Sequence, residues 1–267
     1  MICDSALSRE FVQKGRSAAC PVIDVHVHLG PVYAGWMPKW SIDGLIDTMD
    51  QAGVQVSVLC PHSALFSPDI GNQETIEAAR RHPGRILGYL GINPNHPRNI
   101  EKDLANFDRN RDLLAGLKML ASYHQVLMDA DAYRPAWEFA DAHKLPVLCH
   151  TWGGDGSDKS LRTVAARHPG ARILMAHALH GQWDEAIELA KRFDNIYIDL
   201  CAVLDDRGPV ERFVQAGLIK KLLFGTDNPW FHPHQGIGAL LSADLTDEDR
   251  QDIFHRNARR LFGAAIP

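Results

Sequence analysis

VIDVHVH (22–28), VQVSVLC (54–60), RILGYLGI (85–92), LAGLKML (114–120), LPVLCH (145–150), ARILMAH (171–177), NIYIDLC (195–201) and KKLLFGTD (220–227) are eight short β-rich runs, and their starts lie 24 to 32 residues apart. The gaps hold helical patterns such as SIDGLIDTMDQAG, NQETIEAARRH, AYRPAWEFADAHK and WDEAIELAKRF. Strands alternating with helices at this spacing mean βα units and a parallel sheet. Eight units predict a single-domain (β/α)8 TIM barrel over residues 21–267, preceded by an N-terminal extension of residues 1–20. The alternative is an open doubly wound sheet, which ordinarily carries a Gly-rich phosphate turn after its first strand. Here the first strand runs into HVHLGPVYAG, which lacks the GxGxxG spacing.

Composition narrows the class. Hydrophobic residues make up 45% of the 267 and charged residues 23%, so the chain is neither disordered, collagenous nor coiled-coil. Lys plus Arg number 28 against 33 Asp plus Glu, a formal charge of -5. Nucleic acid and anionic membrane are therefore not expected partners. No apolar run reaches the ~18 residues of a membrane span, and the first 20 residues have no apolar stretch of signal-peptide length. Cys3, Cys20, Cys60, Cys149 and Cys201 are odd in number and form no CxxC pair. Reduced thiols and a cytoplasmic location are expected.

Two units echo each other. ARRHPGRIL (79–87) and AARHPGARIL (165–174) each end a helix in a basic turn, break it at Pro-Gly and enter a strand. His82 and His168 are thus expected to be structural, at the end of the barrel away from any active site. In this fold the chemistry stands at the C-terminal strand ends. His26 and His28 end the first strand, two apart and so on one face, which Asp24 shares, while Val25 and Val27 point to the helices. Lys118 lies near the end of strand four. His150 ends strand five, His177 strand six and Asp227 strand eight. By alternation His177 shares a face with Met175 and Ile173, and Asp227 with Gly225 and Leu223. Imidazoles in a barrel mouth are costly to bury unless paired or bound to metal. Nitrogen and carboxylate donors suit zinc, and also iron, manganese or nickel.

VIDVHVHLG, LPVLCHTWGG, ILMAHALH and LLFGTDNPW resemble the amidohydrolase superfamily of metal-dependent barrel hydrolases, from about residue 21 to the C-terminal NARRLFG (257–263). FGTDNPW and the compact length resemble its amidohydrolase-related branch, which includes decarboxylases. The resemblance implies that His26, His28 and Asp227 bind a divalent metal, most simply Zn2+, that His150 completes the site, and that His177 orients substrate. As the alternative, it allows a second ion, bridged by a carbamate on Lys118 and held by His150 and His177. Where the branch often has H-x-G-G after strand six, this chain has HALHG, which places His180 at the mouth.

The implied chemistry is metal-dependent hydrolysis of an amide, ester or lactone-type bond in a small molecule, with Asp227 as general base and His177 steadying the oxyanion. The alternative is metal-dependent nonoxidative decarboxylation of a small, possibly aromatic, carboxylic acid. A noncatalytic barrel that binds a partner is a third class, disfavoured by the retained ligand set, and a homo-oligomer stays open. Substrate selection falls to the loops after the strands. Trp36, His62, Asn93, Tyr123, His124, Trp152, His180, Trp230 and His232 are the candidates, with His124, Trp152, His180 and Trp230 leading. Arg98 and Arg207 are the only arginines in these loops, which disfavours a dicarboxylate. Cys149 should face outward, and Cys201 reaches toward the mouth without a base beside it in sequence.

Overall fold

Each predicted run becomes a strand. In the computed structural model, which describes residues 5–32 and 35–266, β1 is Val22–Val27, β2 Val54–Leu59, β3 Ile86–Ile92 and β4 Leu114–Met119. They are followed by β5 Pro146–Trp152, β6 Arg172–His180, β7 Ile196–Asp199 and β8 Leu222–Leu223. Neighbouring strands pair in parallel in chain order, β1 to β8. The ring closes because Val25 N–H donates to Phe224 O at 3.0 Å, Asp227 N–H to His26 O at 2.7 Å and His28 N–H to Asn228 O at 2.7 Å. The fold is the (β/α)8 barrel. The predicted eighth run is mostly extended chain rather than ladder, with only two residues paired as strand.

Side-chain alternation divides the apolar residues into two layers. Val22, Val27, Leu117, Cys149, Met175 and Ile198 join the helix residues Leu45, Met49 and Ile76 in the outer layer. Ile23, Val25, Val58, Leu148, Leu174 and Leu223 fill the barrel, whose floor is closed by Leu261 and Phe262 from the helix Asn257–Phe262. Each such side chain, fully buried, contributes about 1.5–3 kcal/mol. The predicted extension is packed, not free: its helix Ala6–Lys14 buries Leu7 and Phe11 in the outer layer, with the Phe11 ring 5.6 Å from that of Phe254. Four cysteines, Cys20, Cys60, Cys149 and Cys201, are free and buried. Cys3 lies outside the described residues.

Two local departures from regular strand decide where the functional side chains go. In β1 the pairing with β2 slips between Asp24 and Val27. Val25 therefore turns inward rather than toward the helices, and His26 and His28 point inward after it, as a bulge allows. Asp24 does not share their task; it accepts from Thr226 Oγ1 at 2.5 Å and Thr226 N at 3.1 Å and joins β1 to the end of β8. In β6 strict alternation puts Ile173 and Met175 in the outer layer, and His177 would follow them. Instead φ turns positive at His177 (63°), Ala178 (50°) and Leu179 (53°). Three successive non-glycine residues in the left-handed region cost about 1–3 kcal/mol each and persist only where neighbours hold them. Thr151 does so: its hydroxyl donates to Ala176 O and accepts from Leu179 N at 3.2 Å.

Beneath the barrel a π-type turn, Asp252–Arg256, carries His255, which is 7% exposed and has no hydrogen-bond partner on either ring nitrogen. Burial first, then the charges of Arg259 and Arg256, pushes its pKa down to about 4. The folded chain holds His255 neutral, whereas the unfolded chain protonates it near 6.5. Its contribution is complete above about pH 6.5 and is lost as pH falls through about 4. Replacing His255 with Phe is expected to flatten the decline of the thermal midpoint between pH 6.5 and 4. An unchanged slope would show that other groups set the acid limit.

Candidate metal centre

The end of β1 builds the centre. His28 Nδ1 lies 2.5 Å from Cys60 O, and a carbonyl can only accept, so this nitrogen carries the proton. His26 Nδ1 lies 2.7 Å from Asp199 Oδ2, whose carboxyl burial lifts to about 6, leaving it an anion at neutral pH. His26 Nδ1 is therefore a donor as well. With each Nδ1–H turned away, the two Nε2 atoms face each other at 3.1 Å. Asp227 Oδ1 joins them, 2.9 Å from His28 Nε2 and 3.5 Å from His26 Nε2. Burial lowers the His26 pKa well below its ordinary value, with Lys118 adding to the effect, so His26 does not supply a proton itself.

Acceptor atoms this close repel unless a cation lies among them. The donor set fits a divalent ion: two imidazole nitrogens and a carboxylate oxygen, with both imidazoles oriented through their far nitrogens, as metal-binding histidines usually are. Lys118, 1% exposed on β4, places Nζ 3.0 Å from His26 Nε2. His177 Nε2 and His150 Nδ1 meet at 3.1 Å beside this group. His26, His177, Cys201 and Asp227 bring their donor atoms within 4.8 Å of one another, a quartet that contains His177 and not His150. Burial lowers the pKa of His150 well below its ordinary value and that of His177 to about 4.

Asp199 and Cys201 were not picked out as partners of this site in the sequence. Both follow from alternation along β7, where Ile196, Ile198 and Leu200 face outward and Tyr197, Asp199 and Cys201 inward. Gly225 explains how Asp199 fits: a Cβ there would lie 2.0 Å from Asp199 Oδ1 and 3.0 Å from His26 Cβ. The backbone that follows β8 is equally shaped, with φ at Asp227 of 62° turning its carboxylate to the centre.

A cavity of about 100 Å3 opens above, lined by His28, His62, His150 and Asp227 and by apolar walls that include Leu65, Phe66, Leu120, Tyr123 and Trp230. Trp230 Nε1 donates to His62 Nε2 at 3.0 Å, and His62 Nδ1 donates to Gly30 O at 2.9 Å. His62 thus shows the cavity only its ring, with burial bringing its pKa down to about 4. The predicted contacts separate. Trp230 lines the cavity. Trp152 stacks on His180 at 4.4 Å and lies edge-on to His177 at 5.4 Å, beside the cavity. His124 is buried, with Nδ1 against Tyr133 Oη at 2.7 Å and Nε2 against Leu65 O at 2.6 Å, so it supports the wall while its neighbour Tyr123 faces the opening. His82 and His168 cap helices at the far end.

The amidohydrolase family profile matches residues 23–264. The chain belongs to this amidohydrolase family. Its fold is shared with an uncharacterized TIM-barrel protein from Bordetella bronchiseptica (TM-score 0.76, 18% identity, 92% of this chain and 99% of that one). It is also shared with 2,6-dihydroxybenzoate decarboxylase from Rhizobium (TM-score 0.73, 15% identity, 91% and 98%). A third similar structure is a dihydroxybenzoic acid decarboxylase from Polaromonas with bound manganese and 2-nitroresorcinol (TM-score 0.73, 14% identity, 91% and 97%). No curated protein sequence matches the chain.

The Asp199–His26 bond generates a prediction. Orienting carboxylates of this kind typically contribute 10–100-fold to metal affinity. Asp199→Ala is expected to weaken zinc binding by about that factor in a titration against a competing chelator. Unchanged affinity would show that Asp199 only fills the space beneath Gly225.

Proposed function

We propose that this amidohydrolase is a metal-dependent hydrolase of small neutral esters, lactones or amides. The observation that carries the reading is the meeting of His26 Nε2, His28 Nε2 and Asp227 Oδ1 beneath the cavity. His26, His28 and Asp227 would hold the ion, with His150 completing its protein ligands. When bound, a divalent ion supplies Lewis acidity, polarising a carbonyl and acidifying water. Asp227 is the one carboxylate in the described cavity lining, so it takes the proton from the attacking water and returns it to the leaving group. His177, steps away at the quartet, donates to the oxygen on which charge develops. Leu65, Phe66 and Trp230 keep bulk water from the reacting carbonyl and seat the rest of the substrate. Neither Arg nor Lys is in that described lining, which favours a neutral substrate over a polyanion.

A second reading is nonoxidative decarboxylation of a small aromatic acid. The aromatic wall favours it, and so do similar structures named as benzoate-type decarboxylases. The same Asp227 would then move the proton that replaces carboxyl. Lys118 sets the number of ions: as an amine it leaves a single ion, whereas as a carbamate it would allow a second, held by His150 and His177.

Product analysis separates the readings. Zinc- or manganese-loaded protein is expected to hydrolyse members of an ester, lactone and amide panel without releasing CO2 from hydroxybenzoates. Asp227→Asn should keep most of the metal and lose roughly 10²–10⁴ in turnover, the range for a missing general base. CO2 release with no hydrolysis would overturn the first reading in favour of the second. Near-normal turnover of Asp227→Asn with metal bound would remove Asp227 as the base.

A further inference from the structure

Among the described residues at the mouth, Cys201 is a buried nucleophilic group to which the proposed reaction gives no task. Its Sγ lies 2.8 Å from His177 Nδ1 and 3.3 Å from His26 Nδ1. The second of these nitrogens is committed: it donates to Asp199 and has no lone pair to offer. A cysteine side chain offers a single S–H donor, and its sulfur can accept from the committed His26 N–H. The single S–H then has one ring nitrogen to reach, Nδ1 of His177.

We propose that Cys201 is a positioning residue whose S–H donates to His177 Nδ1 and so keeps the His177 proton on Nε2. Two consequences follow. Nε2, 3.1 Å from His150 Nδ1, donates to it in the resting site and has no lone pair for a metal. On the hydrolase reading His177 then offers a proton, not a ligand atom, and can turn that proton from His150 to the oxyanion. The thiol also acts with the left-handed backbone at residues 177–179: the backbone swings the ring inward, and the S–H sets which nitrogen it presents. The catalytic consequence rests on the hydrolase reading, but the proton position does not.

Two-bond 1H–15N correlation spectra of the imidazoles in zinc-loaded protein test this without any substrate, with His177→Gln identifying the His177 signals. The expected pattern is a bare, hydrogen-bonded Nδ1 and a protonated Nε2. Cys201→Ser should keep the pattern, because a hydroxyl still donates. Cys201→Ala should move the Nδ1 signal toward the unbonded position at unchanged zinc content. Against the ester or lactone that the protein turns over, Cys201→Ala should lower kcat about 10–100-fold, the usual effect of removing an orienting partner, with KM held. A wild-type proton on Nδ1, or an Ala spectrum identical to wild type, would overturn the proposal. If Cys201→Ala fails to fold, the wild-type spectrum decides alone. A correct His177 pattern in protein that hydrolyses nothing would overturn the hydrolase reading and leave the Cys201 assignment standing.

Discussion

Two imidazole nitrogens and a carboxylate oxygen, all acceptors, meet where β1 and β8 close the barrel. Their mutual repulsion has to be offset by a cation, and much of the surrounding structure follows from holding them there. Cys60 O and Asp199 fix the far nitrogens of His28 and His26. Asp24 ties the β1 strand to Thr226, one residue before Asp227. Gly225 leaves the space in which Asp199 reaches across the barrel. A network this buried gains from being fully satisfied, and any missing member leaves a polar group without a partner.

Irregular backbone supplies what regular strands could not. A slip in β1 lets Val25 and His26 both face inward, and left-handed residues deliver His177 and Asp227. Such conformations are costly, and their concentration at one end of an otherwise regular barrel is how strain and function coincide in folded proteins. The opposite end is built for stability, with Leu261 and Phe262 sealing the interior.

The architecture was legible because hydrophobic runs and helical patterns alternate in every unit. His26, His28, Lys118, His150, His177 and Asp227 were legible because each stands at a strand end, and the fold gathers them. Alternation was a weaker guide. It put His177 on the face of Met175, which turns out to be the outer one, and Asp24 with the two histidines, which a bulge prevents. Asp199 lies in a plain β7 run, and its partner is 173 residues away in sequence, so nothing local marks it. Cys201 was set aside because no partner stands beside it in sequence; its partner, His177, arrives from β6. His124 looked like a substrate contact from its place after β4, but the short helix Ala121–His124 turns it into the wall.

On the proposed reading a divalent ion, rather than Lys118, answers the converging acceptors. Anomalous diffraction from crystals of the protein, recorded on both sides of the absorption edge of the metal it carries, tests this directly. A peak is expected at about 2.0–2.2 Å from His26 Nε2, His28 Nε2 and Asp227 Oδ1. No peak in metal-supplemented crystals, with Lys118 Nζ still hydrogen-bonded to His26 Nε2, would contradict it.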